Sequence, residues 1–170
     1  MGNACLLLPF THGVQTHALE YAVQLAKSRN AALVPLSLIQ VSKECGAKSA
    51  RLEHIQQSKD FLEAVKHKAA KHGVEVEQVE LFTSDVVESV NALAQDANCE
   101  GILLFVREGD DILLDVQHIK LIVAKVASKH HIIHLQSIKK QNAGSKLVKR
   151  ISQLVYKRGA QPVSTGVGIS

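Results

Sequence analysis

A doubly wound α/β domain, a parallel sheet with helices on both faces, is the fold class that this sequence predicts. Short apolar runs alternate five times with stretches of helical periodicity, the pattern of strands joined by crossover helices. The runs ACLLLPF, AALVPLSLIQV and GILLFV are apolar throughout, as strands covered on both faces require. Aromatic residues make up only 4% of the chain and Trp is absent, so the core must come from Leu, Ile, Val and Ala.

Ala4 to Phe10 reads as the first strand, ended by a turn at Thr11, His12 and Gly13. His17 to Lys27 places Leu19, Ala22, Val23 and Ala26 on one helical face. Ala31 to Val41 is the second strand, with Pro35 marking a bulge or an edge-like irregularity because it lacks a ladder donor. After a loop over Ser42 to Ser49, Ala50 to His72 forms a long helix with Ile55, Leu62, Val65 and Ala69 inward and Gly73 at its end. Val74 to Phe82 alternates, which suits a half-exposed third strand at a sheet edge. Asp85 and Glu88 have capping-box spacing, and the helix they start runs to about Asn98 with Val86, Val90, Leu93 and Ala97 buried. Gly101 to Val106 is the fourth strand. Leu114 to Lys129 is a helix with Ile119, Ile122, Val123 and Val126 inward, and Ile132 to Leu135 is the fifth strand.

Residues 1–138 thus form one α/β domain and 139–170 an appended extension. Charge divides earlier, after Asp115. All 16 acids fall in residues 1–115, against 10 Lys and Arg, whereas residues 116–170 carry 10 Lys and Arg and no acid. Such polarity suggests an acidic body with a basic end that meets an anionic surface, its own or another's. Three cysteines without a CxxC, and no cationic apolar leader, make a reducing cytoplasm the expected compartment. No apolar run approaches the ~20 residues that would span a bilayer.

In sheets of this class ligands bind beyond the carboxyl ends of the strands, where strand order reverses, here between strands one and four. The turns Thr11 to Gly13 and Arg107 to Asp111 would face each other there.

The order and lengths of the segments over Ala4 to Ile138 resemble the universal stress protein family. LLLPFTHGVQTHALEYAVQLAKSRNAALVPLSLIQV looks like that family's opening strand, helix and strand. GVEVEQVELFTSDVVESVNALAQDANCEGILLFV is similar to its third strand, capped helix and fourth strand, and VASKHHIIHLQS to its closing strand. The resemblance implies strand order 3-2-1-4-5 and a cytoplasmic homodimer paired through strand five, hence through Ile132, Ile133, His134 and Leu135. It also implies that some members bind ATP.

Two departures argue against family-type ATP binding. Where the ATP-binding members have an acid after strand one, this chain has Phe10, Thr11 and His12. Their motif G-x2-G-x9-G-[ST], counted from Gly109, falls on Ile112, Ile122 and Val123, none of them Gly, Ser or Thr. Glu108, Asp110, Asp111 and Asp115 also crowd the turn where phosphates would lie, each at a cost on the order of 1 to 4 kcal/mol. Read without a ligand, these acids cap the following helix.

Among nine histidines only His12 falls in the crevice, and as a base it would need an orienting carboxylate such as Asp110 or Asp111. His131 and His134 point to opposite faces of a strand, which breaks up any metal cluster with His130. Cys5 and Cys99 read as packing residues and Cys45 as a surface thiol.

In the extension, residues 146–158 have the period of an amphipathic helix with Lys146, Lys149, Arg150, Lys157 and Arg158 around its apolar stripe. Docking on its own body or on a dimer mate is the reading that fits the acidic body. Nucleic acid is not expected, because aromatic residues are scarce and no recognition motif occurs.

The sequence therefore points to a non-enzymatic, homodimeric binding or regulatory module without catalytic residues, metal or obligatory cofactor. One alternative is a nucleotide binder for ATP, AMP or a relative, contacting it through Phe10, Thr11, His12, Gly13, Arg107 and Gly109. The other is a peripheral regulator whose basic tail docks on an anionic membrane or a transporter.

Overall fold

The structure, a computed structural model, describes residues 4–136. The extension, with its expected helix and the five cations assigned to it, lies outside the described residues. Five strands form one parallel sheet in the order β3-β2-β1-β4-β5. They are β1 (Cys5–Phe10), β2 (Ala32–Gln40), β3 (Val79–Thr83), β4 (Gly101–Val106) and β5 (His130–His134). The helices between them are α1 (Thr16–Ser28), α2 (Leu52–His72), α3 (Val86–Asp96) and α4 (Val116–Lys125).

Alternation along β1 divides the core in two. Leu6, Leu8 and Phe10 pack on the α1 and α2 side with Leu19, Val23, Phe61 and Val65. Cys5 and Leu7 face the α3 and α4 side with Val86, Val90, Ile119 and Ile122. Every residue of β1 is buried, which accounts for a run with no polar alternation. Among the described residues no helix is long and apolar enough to cross a membrane.

Pro35 lies inside β2 in unbroken register with β1, opposite Leu8, so β2 is neither bulged nor an edge. The irregularity falls on its other neighbour. Leu33 exchanges backbone hydrogen bonds with Glu75 and Glu77, and Pro35, two residues on, faces the same side. There the ladder breaks between the isolated Val76 bridge and the start of β3 at Val79. A residue without an N–H sits where no acceptor is lined up.

Several expected boundaries and faces shift. β3 starts at Val79 rather than Val74, and β5 at His130 rather than Ile132. α4 is confined to Val116–Lys125, so Leu114 lies outside it. Leu93 is half-buried and Ala97 exposed, because α3 ends at Asp96. Val123 faces outward at 41% exposure, since the buried stripe of α4 runs through Ile119 and Ile122 alone. On α2 the buried line is Ser58, Phe61, Val65 and Ala69, with Ile55 and Leu62 at its margins. His72 pairs with Glu20 of α1 at 3.0 Å.

Candidate functional site

At their amino ends β1 and β4 pair at Leu6 with Gly101 and Leu7 with Ile102, and no further along. Beyond that the two strands part, which is the topological condition for a crevice at the reversal of strand order. The turns expected to face each other across it do so. His12 Nε2 stands 3.8 Å from Asp111 Oδ2, with both side chains about two-fifths exposed, at 40% and 43%.

The gap between the turns is filled by the chain itself. Ile112, Leu113 and Leu114 are only 1%, 2% and 2% exposed. Ile112 and Leu113 join the core on the α1 side, while Leu114 joins the core on the α3 side. The segment therefore straddles the sheet at the open end of the β1–β4 seam. Backbone bonds fasten it there. The Thr11 N–H donates to the Leu113 carbonyl at 2.7 Å, the His12 N–H to the same oxygen at 3.3 Å, and the Leu113 N–H to Gly13 at 3.3 Å.

A tight turn makes the crossing possible. The Leu114 N–H donates to the Ile112 carbonyl at 2.6 Å, and Leu113 between them has φ 63°, a left-handed conformation that a Leu adopts at a cost of about 1–2 kcal/mol. Burial of the Leu side chain more than offsets that cost. Gly13 has φ 75°, and a Cβ there would come within 3.2 Å of the Asp111 carbonyl, so the turn after β1 is shaped to receive this segment.

Each expected contact residue has a definite place. Phe10 is fully buried and stacks on Phe61 with ring centroids 4.1 Å apart and 7° between planes, leaving it no face for a ligand. Thr11 is 8% exposed, and its hydroxyl lies 2.9 Å from His12 Nδ1 and 3.4 Å from the Leu113 carbonyl. Thr11, His12 and Asp111 follow one another as hydroxyl, imidazole and carboxylate, but the hydroxyl is enclosed by the segment that would have to admit a substrate. Arg107 pairs with Asp110 at 2.9 Å inside its own turn, while its buried Nε has no hydrogen-bond partner among the described residues. Gly109 is the exposed tip of that turn, at φ 85°.

The acids serve the helix that follows. Asp115 Oδ1 accepts from the His118 N–H at 2.8 Å, and Asp111 Oδ1 from the Val116 N–H at 3.3 Å. Two of the donors left open at the start of α4 are thus satisfied by carboxylates, which the helix dipole also favours. Among the described residues no three of His, Cys, Asp and Glu converge to hold a metal ion.

The residues assigned to subunit pairing are at the far edge of the sheet. Ile133 is 1% exposed and belongs to the chain's own core, while Ile132, His134 and Leu135 are half-buried. Changing Ile133 would therefore perturb folding before it perturbed pairing.

Sequence reasoning overlooked residues 112–114 as a unit. Leu114 was read as the start of the next helix, and Ile112 and Leu113 were given no element. The available signal was that Ile112 and Leu113 stand before the capping Asp115, outside any helix that this residue could start.

The family model described as "Universal stress protein family" matches residues 9–110. No curated protein sequence matches the chain. Among solved structures, the universal stress protein from Archaeoglobus fulgidus in complex with dAMP superposes with TM-score 0.59 at 14% identity, covering 76% of this chain and 96% of its own. Universal stress protein UspA from Lactobacillus plantarum gives 0.60 at 13% identity, covering 78% and 98%. A universal stress protein family protein from Arabidopsis thaliana with AMP bound gives 0.52 at 10% identity, covering 79% and 93%.

Proposed function

This chain belongs to the universal stress protein family, and from that premise we propose that it is a non-enzymatic regulatory module whose nucleotide crevice is occupied by its own residues 112–114. The observation that carries this reading is the burial of Ile112, Leu113 and Leu114 at the end of the β1–β4 seam, pinned to Thr11 through the Leu113 carbonyl at 2.7 Å.

Magnitudes favour closure over ligand entry. Withdrawing three large aliphatic side chains from the core costs roughly 4 to 9 kcal/mol. At 1.4 kcal/mol per factor of ten, that lowers the affinity of a nucleotide that must displace them by about a thousandfold or more. Micromolar binding, if the emptied crevice allowed it, would become millimolar or weaker.

The nucleotides in the relatives support a second reading, in which the segment swings out and AMP or ATP enters against Thr11, His12 and Gly13. The exposed His12 imidazole at the mouth is the side chain that would meet it first. Calorimetric titration of the full chain with ATP, AMP and cyclic AMP separates the two. Occupation of the crevice by residues 112–114 predicts no saturable heat up to about 1 mM, and a micromolar dissociation constant for any of the three would overturn it.

Pairing into a homodimer through the outer edge of β5 is part of the same proposal. Among the described residues β5 is the last strand of the sheet, and a sheet edge of this kind is a template for pairing with a second chain. Light scattering of the full chain measures it directly, and a monomer mass at 100-fold dilution and at stock concentration alike would remove this part.

A further inference from the structure

Cys5 opens β1, and Cys99 lies just before β4, at the end of the sheet away from the crevice. β1 and β4 are parallel neighbours with Leu6 opposite Gly101, so positions 94 apart in sequence come side by side. Both backbones are held. The Glu100 N–H donates to the Cys5 carbonyl at 2.8 Å, and the Cys99 N–H donates to Ala94 at 3.1 Å. The two Sγ atoms are 2.8 Å apart, already in contact and short of a bond only by a small inward movement of the side chains. Cys5 is 7% exposed within the core that includes Val90 and Ala94, whereas Cys99 at its margin is half-buried.

We propose that Cys5 and Cys99 are a redox-modification site that closes reversibly to an intramolecular disulfide across the two central strands. With hydrogen peroxide as oxidant, the Cys99 thiolate attacks one peroxide oxygen, the O–O bond breaks, and the departing hydroxide takes up a proton to become water. Cys99 is left as a sulfenic acid. The Cys5 sulfur then attacks the Cys99 sulfur, the S–O bond breaks, and the hydroxide leaves as water with the proton from Cys5. Two thiols lose two electrons and two protons, and one peroxide yields two waters.

The surroundings set the rate. Burial, and then the contact with Cys5, push the Cys99 thiol up to about 12, so little thiolate is present at neutral pH and attack is slow. Such a pair records sustained oxidation and does not turn over as a peroxidase. Cys45, exposed in its loop, is the competing thiol.

The test treats the folded full-length Cys45→Ser chain with hydrogen peroxide, then maps peptides by mass spectrometry without reduction. The expected major species has lost about 2 Da, carries a peptide joining Cys5 to Cys99, and returns to two thiols with dithiothreitol. The inference is overturned if Cys99 proceeds to sulfinic acid while Cys5 stays a free thiol. It is equally overturned if the joined peptide forms only in chain unfolded by urea.

Discussion

Gly101 is required by its neighbour. A Cβ at this position would come within 2.4 Å of His131 Nε2, because the imidazole of β5 lies across the first residue of β4. Gly101→Ala is expected to lose on the order of 1–3 kcal/mol in urea denaturation, and most of that loss should vanish in the His131→Ala background, since the clash needs both side chains. His131 also predicts a pH dependence. It is fully buried, neither ring nitrogen has a hydrogen-bond partner among the described residues, and burial, reinforced by Arg29 and Lys129, lowers it from 6.5 to about 4. At neutral pH it is uncharged in both folded and unfolded chains and contributes no pH dependence. Below about 6.5 the unfolded chain binds a proton that the folded chain refuses, so stability falls until about 4, where both bind it. His131→Leu should lose less stability than the parent between pH 7 and 4.5, by on the order of 2 kcal/mol. Equal losses would show that this histidine is not kept neutral by the fold.

At the scale of elements, helix starts were legible and one bonding pattern was not. Asp85 caps α3 as its spacing predicted, its Oδ1 accepting from the Glu88 N–H at 3.0 Å. The reciprocal half of the box is replaced by Thr83, whose hydroxyl accepts from the Asp85 N–H at 3.0 Å and lies 2.7 Å from Ser89 Oγ. Asp85→Ala should therefore cost about 1 kcal/mol in thermal or chemical unfolding, and Glu88→Ala only a few tenths. A larger effect of Glu88→Ala than of Asp85→Ala would contradict this division of roles. Strands β1, β2 and β4 were readable because a strand buried on both faces leaves an uninterrupted apolar run. β5 was misplaced because His130 and His131 read as polar flanks, and only the space left by Gly101 lets His131 sit inside the sheet. Phe61 was missed on α2 for the converse reason: its partner Phe10 is 51 positions away in sequence, and no local period announces a stack with a strand end.

For the whole molecule, strand order and the location of the crevice followed from alternation and from the resemblance over residues 4–138. What could not be read was that the crevice is filled. The acids at 108, 110 and 111 spoke against phosphate, but the closure rests on Leu113 in a left-handed turn, a conformation that no local pattern assigns to Leu. The consequence is a family fold that keeps its sheet and its switch point while residues 112–114 join the two cores at the end of the β1–β4 seam. Amide hydrogen exchange at Thr11 tests that claim most directly, because its N–H donates to the Leu113 carbonyl at 2.7 Å. If the segment is an integral part of the core, the Thr11 amide exchanges only with global unfolding, as slowly as the amides in the centre of β1, and 5 mM AMP leaves its rate unchanged. Exchange at the rate of an exposed turn, or a marked change in rate on adding AMP, would contradict it.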